Sequence, residues 1–366
     1  MLVLHNILSV AKYESKLLVR SWFFKVFSTI AVLVAFGYSL GTLSDAGSPT
    51  WLLRAIPSTI PYGTLILLNA AQAVIAIFLS SEFIKRDKQL DTSEVFYVRP
   101  LSNAEYVIGK TWGNLRVFLG LNLVILLIAL LFNLTASNTY VDWSSYLVYF
   151  LLISVPTLLF IMGMSFCAML LLNNQALTFV VMLGYVGLTL FVIGELVYHL
   201  FDYMAFSLPM FRSTIVGFSG MEEILVHRGM YLAAGIGFIC LTIYLFKRLP
   251  HAPQRRFWWL LVSLVFLMGS VFLGFRYVQR YASDLEHRQA LIELNDQYGG
   301  LPVMSVLEYK MDVEQLSDGI HVRSRMLARA LDSARVFVFT LNPYLDIISV
   351  NAPQEQVQMK REQQIV

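Results

Sequence analysis

Charged residues and cysteines are scarce in this sequence. Only 14% of the 366 residues are Asp, Glu, Lys or Arg, whereas 57% are hydrophobic and the mean hydropathy is +0.65. Soluble domains carry about 25% charged residues, so this balance indicates a membrane protein. The two cysteines, Cys167 and Cys240, both lie within apolar runs. They argue against a disulfide framework and are too few for a structural zinc site.

Motifs of common catalytic and nucleotide-binding sites are also missing. The six histidines are scattered, with no H-E-x-x-H and no pair at ligand spacing. Gly109-Lys110-Thr111 matches the end of a Walker A loop, but Ala104 stands where its first glycine is required. Gly235-Ile236-Gly237 lacks the third glycine of a dinucleotide fingerprint. No basic patch interleaved with aromatic residues indicates nucleic acid. We therefore expect no active site, metal or cofactor in this chain and no nucleic-acid partner.

Seven apolar segments are long enough to cross a bilayer, which takes about 20 apolar residues. The first 20 residues are too polar to span. Within them Leu4, Ile7, Leu8 and Ala11 recur at helical spacing, which predicts an amphipathic helix in the membrane interface. We expect an all-α polytopic protein with about seven transmembrane helices, this N-terminal helix and a small β-rich extracytoplasmic tail. The predicted spans are 22–43, 60–82, 112–133, 145–172, 176–199, 229–246 and 257–275.

Basic residues are distributed unevenly between the loops, and this predicts the orientation. Twelve lie at the N-terminus and in the loops after the second and sixth spans, against three in the alternate loops. The positive-inside rule then places the N-terminus in the cytoplasm, and seven spans place the C-terminus outside. The twelve are Lys12, Lys16, Arg20, Lys85, Arg86, Lys88, Arg99, Lys110, Lys247, Arg248, Arg255 and Arg256; the three are Arg54, Arg212 and Arg228.

A few polar side chains fall within the predicted spans. Asn69 and Gln72 interrupt the second span, and Glu195, near the outer end of the fifth, is the deepest carboxylate. A carboxylate in lipid is a functional candidate by default. Glu195 could serve an ion-coupled carrier, or it could reach the outer water or pair with a neighbouring helix. A carrier would also need two similar halves with broken helices, which the sequence does not have.

A capping box explains the Walker-like tripeptide. Ser102 and Glu105 have the S-x-x-E spacing of a helix start. The predicted helix runs through Gly109-Lys110-Thr111 into the third span, so those backbone N–H groups are bonded within the helix and cannot hold phosphate.

The longest cytoplasmic loop lies just upstream, from Glu82 to Lys110. Asp91-Thr92-Ser93-Glu94 predicts the cap of a short amphipathic turn that contains Val95, Phe96 and Val98. Its apolar face needs a partner. The lipid surface and a cytosolic protein are the two alternatives.

The tail from residue 276 has mixed charges. Residues 276–297 predict a helix that continues out of the seventh span. "VLEYKMDVEQ" alternates apolar and charged residues, which predicts a strand. Asp318-Gly319 predicts a hairpin to a second strand, "RVFVFTL" a further strand and Asn342-Pro343 a turn.

Residues 1–250 resemble the ABC-2-type permeases, which are membrane subunits of a class of ABC exporters. The resemblance rests on the N-terminal helix, six spans, a long outer loop, and Pro-Leu-Ser, Glu-Tyr and Gly-Lys at the entry to the third span. It implies that residues 83–100 contain a coupling helix docked on a separate cytosolic ATPase that binds ATP and magnesium. It also implies a permease homodimer or heterodimer in the bacterial inner membrane. The coupling residues would be Glu82, Arg86, Asp91, Glu94, Phe96 and Arg99.

The same resemblance implies that residues 200–228 form outer hairpin helices that partly re-enter the membrane as a gate. Pro209, Phe211 and Gly217 would belong to this gate. Residues 251–275 depart from the six-span pattern as an extra transmembrane helix. Residues 276–366 resemble the first strands of the β domain in permease–zinc aminopeptidase fusions, without the metal motif of those enzymes. An alternative function is a seven-helix anchor or sensor that displays an outer β domain.

Overall fold

The computed structural model describes most of the chain as helix. The helices are α1 (Leu2–Arg20), α2 (Trp22–Leu43), α3 (Thr59–Ser81), α4 (Asn103–Thr135), α5 (Trp143–Tyr149), α6 (Val155–Leu172), α7 (Gln175–Leu188), α8 (Met221–Leu245) and α9 (Arg256–Tyr298). The strands are β1 (Arg212–Ser213), β2 (Gly217–Phe218), β3 (Met304–Gln315) and β4 (Ile320–Ala330). The described residues are 2–43, 58–81, 101–135, 141–208, 210–213, 217–246, 256–299, 304–316, 319–330, 337–351 and 358–366.

Seven helical stretches among the described residues are long and apolar enough to cross a membrane. Each overlaps one of the seven predicted segments, so the prediction of a mostly helical protein with seven helices of spanning length is confirmed. One stretch is composite, because a π-helical segment, Phe150–Ser154, joins α5 to α6. A second π-helical segment, Thr189–Ile193, extends α7.

The chain divides into two compact units, Met1–Gln279 and Arg280–Val366. The boundary falls inside α9, four residues beyond the position at which the sequence changes character. The first unit contains α1 to α8 and the apolar half of α9.

Glycines allow α6 and α8 to pack closely at the centre of the first unit. A Cβ atom at Gly163 would lie 2.7 Å from the carbonyl oxygen of Gly235, and one at Gly235 would lie 2.7 Å from the backbone of Leu159. Gly237 faces α9 in the same way, with Leu267 at 2.8 Å. The Gly235-Ile236-Gly237 sequence is therefore a helix-packing feature.

Helix α4 begins with the predicted capping box. The backbone N–H of Ser102 donates to Glu105 Oε2 (2.6 Å), and that of Glu105 donates to Ser102 Oγ (3.2 Å). The helix then continues without a break to Thr135. Gly109-Lys110-Thr111 lies within it, as predicted.

Helix α1 packs against this first part of α4. A Cβ atom at Gly109 would lie 2.7 Å from Val10 Cβ, and one at Gly113 would lie 2.8 Å from the carbonyl oxygen of Ala11. Of the predicted apolar face of α1, Ala11 is buried in the protein, whereas Leu4 and Leu8 are exposed. An apolar stripe found by periodicity alone does not identify polar residues that pair across a helix contact. The buried positions of α1 are Ala11, Glu14, Ser15 and Leu18.

The second unit contains the predicted hairpin. Strands β3 and β4 pair antiparallel from Met304↔Ala330 to Gln315↔Ile320, with a bulge between Val306 and Glu308. The turn at Asn342-Pro343 is also present, closed by the N–H of Leu345 and the carbonyl of Asn342 at 3.1 Å. The further strand predicted at 335–341 is reduced, among its described residues, to a short antiparallel pairing with the last residues of the chain. Thr340 bridges Ile365, and the N–H groups of Phe339 and Leu341 donate to Val366 and Gln364.

Candidate functional site

The residues between α7 and α8 fold back into the helical bundle. We call residues 197–210 the connecting segment; Pro209 lies outside the described residues. Tyr203, Met204, Ala205 and Met210 are at most 1% exposed. The hairpin helices expected for residues 200–228 are not found between Leu200 and Phe218. The described residues there form turns, bends and the two-residue strands β1 and β2.

Helix side chains satisfy the carbonyl groups of the connecting segment. Backbone that is buried outside regular structure needs such partners, because an unpaired polar group away from water is costly. Seven of its carbonyl oxygens accept bonds from α3, α5, α6, α8 and α9. The donors are Tyr277 to Tyr198 (2.8 Å), His227 to His199 (3.0 Å), Tyr231 to Leu200 (2.7 Å), Thr157 (2.8 Å) and Arg228 (2.9 Å) to Tyr203, Asn69 to Met204, Tyr62 to Leu208, and Tyr149 to Met210 (2.7 Å).

The connecting segment reaches the middle of α3. Asn69, which bonds the carbonyl of Met204, lies ten residues beyond Thr59, the first residue of α3. At 1.5 Å per residue this is about 15 Å along the helix axis. Irregular backbone occurs at such depth in membrane proteins only where protein surrounds it or it lines a cavity.

Arg228 on α8 is the largest fully buried side chain among the residues that the structure describes. Its guanidinium donates to the carbonyl oxygens of Leu152 (2.7 Å), Ile153 (3.2 Å) and Tyr203 (2.9 Å), and to Thr157 Oγ1 (2.8 Å). No carboxylate oxygen of the described residues lies within 4.0 Å of it. Buried Asp202 contributes an attraction at longer range. Carbonyl dipoles therefore hold this charge, and a charge inside a membrane bundle is a functional candidate.

Pro156, just after the π-helical segment, explains why a carbonyl of that segment can accept from Arg228. Pro156 has no backbone N–H, so the carbonyl of Leu152, four residues earlier, has no α-helical donor there. The winding of Phe150–Ser154 is also wider than that of an α-helix, and such π segments are frequent at functional sites. The guanidinium donates to the Leu152 carbonyl in place of the missing N–H.

A chain of buried hydrogen bonds leads to the same carbonyl of Tyr203. We call Ser154, Asn122, Gln72, Asn69 and Thr157 the polar chain; all five are 0% exposed. Each side chain donates to the next, and Thr157 donates to Tyr203. Hydrogen bonds aligned in one direction polarise one another. The distances are Ser154 to Asn122 2.7 Å, Asn122 to Gln72 2.8 Å, Gln72 to Asn69 2.8 Å, and Asn69 to Thr157 3.0 Å.

The predicted intramembrane residues have different positions. Asn69 and Gln72 belong to the polar chain, together with three residues that sequence reasoning missed. Their presence as polar residues inside the third and fourth predicted spans is the sequence signal that could have identified these three.

Arg228 was assigned to an outer loop because the sixth span was predicted to begin at residue 229, whereas α8 begins at Met221. Glu195 lies beyond the end of α7 and its π extension, in an exposed turn, so the apolar helical stretch ends before it, at Ile193.

Two of the predicted gate residues, Phe211 and Gly217, follow the connecting segment, which ends at Met210. The ring of Phe211 is 4.6 Å from that of Tyr62, and the Phe211 side chain is 45% exposed. Gly217 pairs with Ser213 in the β1–β2 ribbon and has a φ of 76°. The proposed coupling residues Glu82, Arg86, Asp91, Glu94, Phe96 and Arg99 lie outside the described residues.

An ion pair attaches the β1–β2 ribbon to the start of α5. Arg212 Nη1 lies 2.9 Å from Asp142 Oδ2, and the hydroxyls of Ser144 and Ser145 donate to the same carboxylate. Burial alone would raise the pKa of Asp142. The two hydroxyls and the guanidinium outweigh it, so this pKa lies below its ordinary value of 3.8.

The site is thus a set of fixed donors around an irregular segment. Within the described ranges, no three His, Cys, Asp or Glu side chains form a group that could hold a metal ion. The arrangement can hold or release a segment of backbone deep in the bundle. No family model matches the chain, and no curated protein matches it significantly.

Proposed function

We propose that the chain is the permease subunit of an ATP-driven exporter in a bacterial inner membrane. A separate cytosolic ATPase would bind ATP and magnesium and dock on residues 83–100. Two permease chains, identical or related, would form the pathway, with the N-terminus in the cytoplasm and the C-terminus outside. The proposal extends the resemblance of residues 1–250 to the ABC-2-type permeases.

The observation that carries this proposal is the fixed junction between α1 and α4. Lys110 Nζ lies 3.2 Å from Glu14 Oε1, and both side chains are buried. Asn6 donates to Glu105 at 3.1 Å, and Arg116 donates to the carbonyl of Ala11 at 2.9 Å. Polar and charged contacts therefore hold the two helices along their length.

The position of this junction suits a coupling role. Helix α4 begins at Asn103, directly after the proposed docking segment, and is continuous to Thr135. Asn103 also bonds the carbonyl of Phe246, just after the end of α8. A displacement of residues 83–100 would therefore move α1 and α4 as one body.

At the opposite end of α3 and α4, the connecting segment would supply the gate. Phe211 and Gly217 border the segment, and we propose that Pro209 belongs to it as well. The polar chain would link a movement of α4 to the segment, since Asn122 on α4 bonds Gln72 on α3.

The deciding experiment is purification of the chain from its native membrane with its partners attached. The proposal expects a Walker-type ATPase to copurify in a stable ratio. Replacement of Glu94, Phe96 and Arg99 with alanine should abolish the association. Glu222→Gln, an exposed change at the opposite end of the bundle, is the matched control and should leave it intact. Absence of any ATPase from the native complex would refute the exporter proposal.

One observation favours the alternative of an anchor or sensor. The β3–β4 hairpin has an apolar face at Tyr309, Met311 and Val313, each more than half exposed, and a two-stranded hairpin is marginal by itself. An anchor would retain an extracytoplasmic partner after every substitution in residues 83–100. A secondary carrier would instead show ion-driven uptake that Glu195→Gln abolishes.

A further inference from the structure

We propose that the connecting segment is a releasable strap, and that Arg228, acting together with Thr157, is the clasp that holds it closed. When the clasp opens, the strap leaves the bundle as a unit while the helices stay folded. This inference concerns the chain alone, so it can succeed or fail independently of the exporter proposal.

The strap is attached to the helices by side chains only. The backbone-to-backbone bonds recorded for its described residues are all local, such as those of Leu200 to Val197, Asp202 to His199, and Ala205 to Asp202. Its bonds to α3, α6 and α8 come from the side chains of Asn69, Thr157 and Arg228. Release therefore breaks no helical or strand hydrogen bond, and each helix keeps its own backbone ladder.

Strained backbone at the start of the strap favours release. Val197, Tyr198 and His199 have φ values of 50°, 58° and 63°, and Ala205 has a φ of 58°. Left-handed conformations are unfavourable for residues with a Cβ atom, most of all for a β-branched residue. Such conformations persist only where surrounding contacts hold them. The closed strap therefore stores strain that the helix donors hold in place.

Arg228 is the donor whose loss weakens the closed state most. It is the only charged donor to the described strap carbonyls, and it joins the strap to the π-helical segment through Leu152 and Ile153. It also donates to Thr157 Oγ1, whose hydroxyl donates to Tyr203. Hydrogen bonds from charged groups are roughly twice as strong as neutral ones. Without Arg228, Tyr203 keeps one of its two donors, and Leu152 and Ile153 lose the hydrogen bonds that Arg228 donates to their carbonyls.

The test is cysteine labelling in the full chain, reconstituted in lipid nanodiscs. Met204→Cys places a reporter on the strap at a position that is 1% exposed, and the native Cys167 and Cys240, 4% and 6% exposed, report on the helices. A membrane-permeant maleimide is added, and mass spectrometry follows modification at each of the three sites. Each further substitution is made in the Met204→Cys background.

Arg228→Gln should raise the labelling rate at position 204 about tenfold or more, as expected for loss of a charged hydrogen bond, with Cys167 and Cys240 still protected. Thr157→Val should raise it as well, and Thr157→Ser, which restores the hydroxyl, should return it towards the starting rate. Arg116→Gln is the matched control, because Arg116 also donates to a carbonyl and a hydroxyl, but in the α1–α4 junction. It should leave labelling at position 204 unchanged.

Two results would overturn the strap. An unchanged rate at position 204 in a folded Arg228→Gln variant would mean that Arg228 holds nothing closed. Equal exposure of position 204, Cys167 and Cys240 would mean that Arg228 supports the whole bundle. A response to Thr157→Ser as large as that to Thr157→Val would remove Thr157 from the clasp.

Discussion

Arg228 Nη1 lies 2.9 Å from the carbonyl oxygen of Tyr203. This contact joins the fully buried guanidinium of Arg228 on α8 to the irregular backbone of the connecting segment. The next residue of that segment, Met204, accepts a bond from Asn69 in the middle of α3. The hydroxyl of Thr157 also donates to the carbonyl oxygen of Tyr203, at 2.8 Å. Both lone pairs of one carbonyl are thereby used, and the position of Tyr203 is specified from two helices.

Gly113→Ala should destabilise the α1–α4 junction. The new Cβ atom would lie 2.8 Å from the carbonyl oxygen of Ala11 and 2.9 Å from Glu14 Cβ, an overlap that backbone must relieve. Overpacking of this kind costs about 1–3 kcal/mol. Gly120→Ala is the control on the same helix, because nothing lies within 4 Å of its Cβ position. In detergent, the melting temperature of Gly113→Ala should be lower than that of the parent, and that of Gly120→Ala should be equal or higher. The reverse order would contradict the close packing of α1 against α4.

Lys110→Met should destabilise the chain more than the double variant Lys110→Met/Glu14→Leu. The single change removes one partner of a buried ion pair, the Lys110 ammonium, from the Glu14 carboxylate, and such a loss typically costs about 3–5 kcal/mol. The double change removes the pair and leaves an apolar contact. A double-mutant cycle of unfolding free energies measures the coupling. Additive costs would show that the two side chains do not depend on each other.

Asn122→Leu should cost more stability than Ser154→Ala. Asn122 is the second of the five residues of the polar chain, and its loss removes the partner of Gln72 Oε1 as well as that of the Ser154 hydroxyl. Ser154→Ala removes only the first donor. Interhelical hydrogen bonds in membranes contribute about 0.6 kcal/mol each and up to about 1.7. The double variant should cost less than the sum of the singles in a denaturation series, since both remove the same bond.

Asp142→Asn should destabilise the chain in a pH-dependent way. The pKa of Asp142 is lower in the folded chain than the ordinary 3.8, so its charged contacts stabilise the fold above that pH. The contribution is lost as the pH falls through the folded value. The difference in melting temperature between parent and variant should be constant from about pH 7 to pH 5 and shrink below about pH 4. A difference that grows on acidification would contradict this assignment.

The local features of the fold could be predicted from the sequence. The capping box at Ser102 and Glu105 uses residues three positions apart, and the β3 alternation is visible within one strand. Both depend on neighbours along the chain, and both are present. The apolar length of each span predicted the helices for the same reason.

The contacts between helices could not be predicted in this way. Gly109 and Gly113 matter because α1 crosses α4 there, and one sequence does not specify that crossing. The same holds for the polar chain, since Asn69 and Asn122 become connected, through Gln72, only when α3 and α4 adopt one register. The backbone of the connecting segment also departs from what its residue types favour. Val197 is β-branched and disfavours a left-handed conformation, yet its φ is 50°, which only surrounding contacts can hold.

Disulfide formation between α3 and the connecting segment tests the central claim most directly. In a background with Cys167→Ala and Cys240→Ala, Asn69→Cys is combined with Met204→Cys or with Phe211→Cys and oxidised in native membranes. We predict that the Met204→Cys pair cross-links rapidly, because Asn69 bonds the carbonyl of Met204, and that the Phe211→Cys pair does not. Phe211 instead contacts Tyr62, seven residues earlier on α3. Cross-linking of neither pair, or of the Phe211→Cys pair alone, would show that the segment does not reach the middle of the bundle.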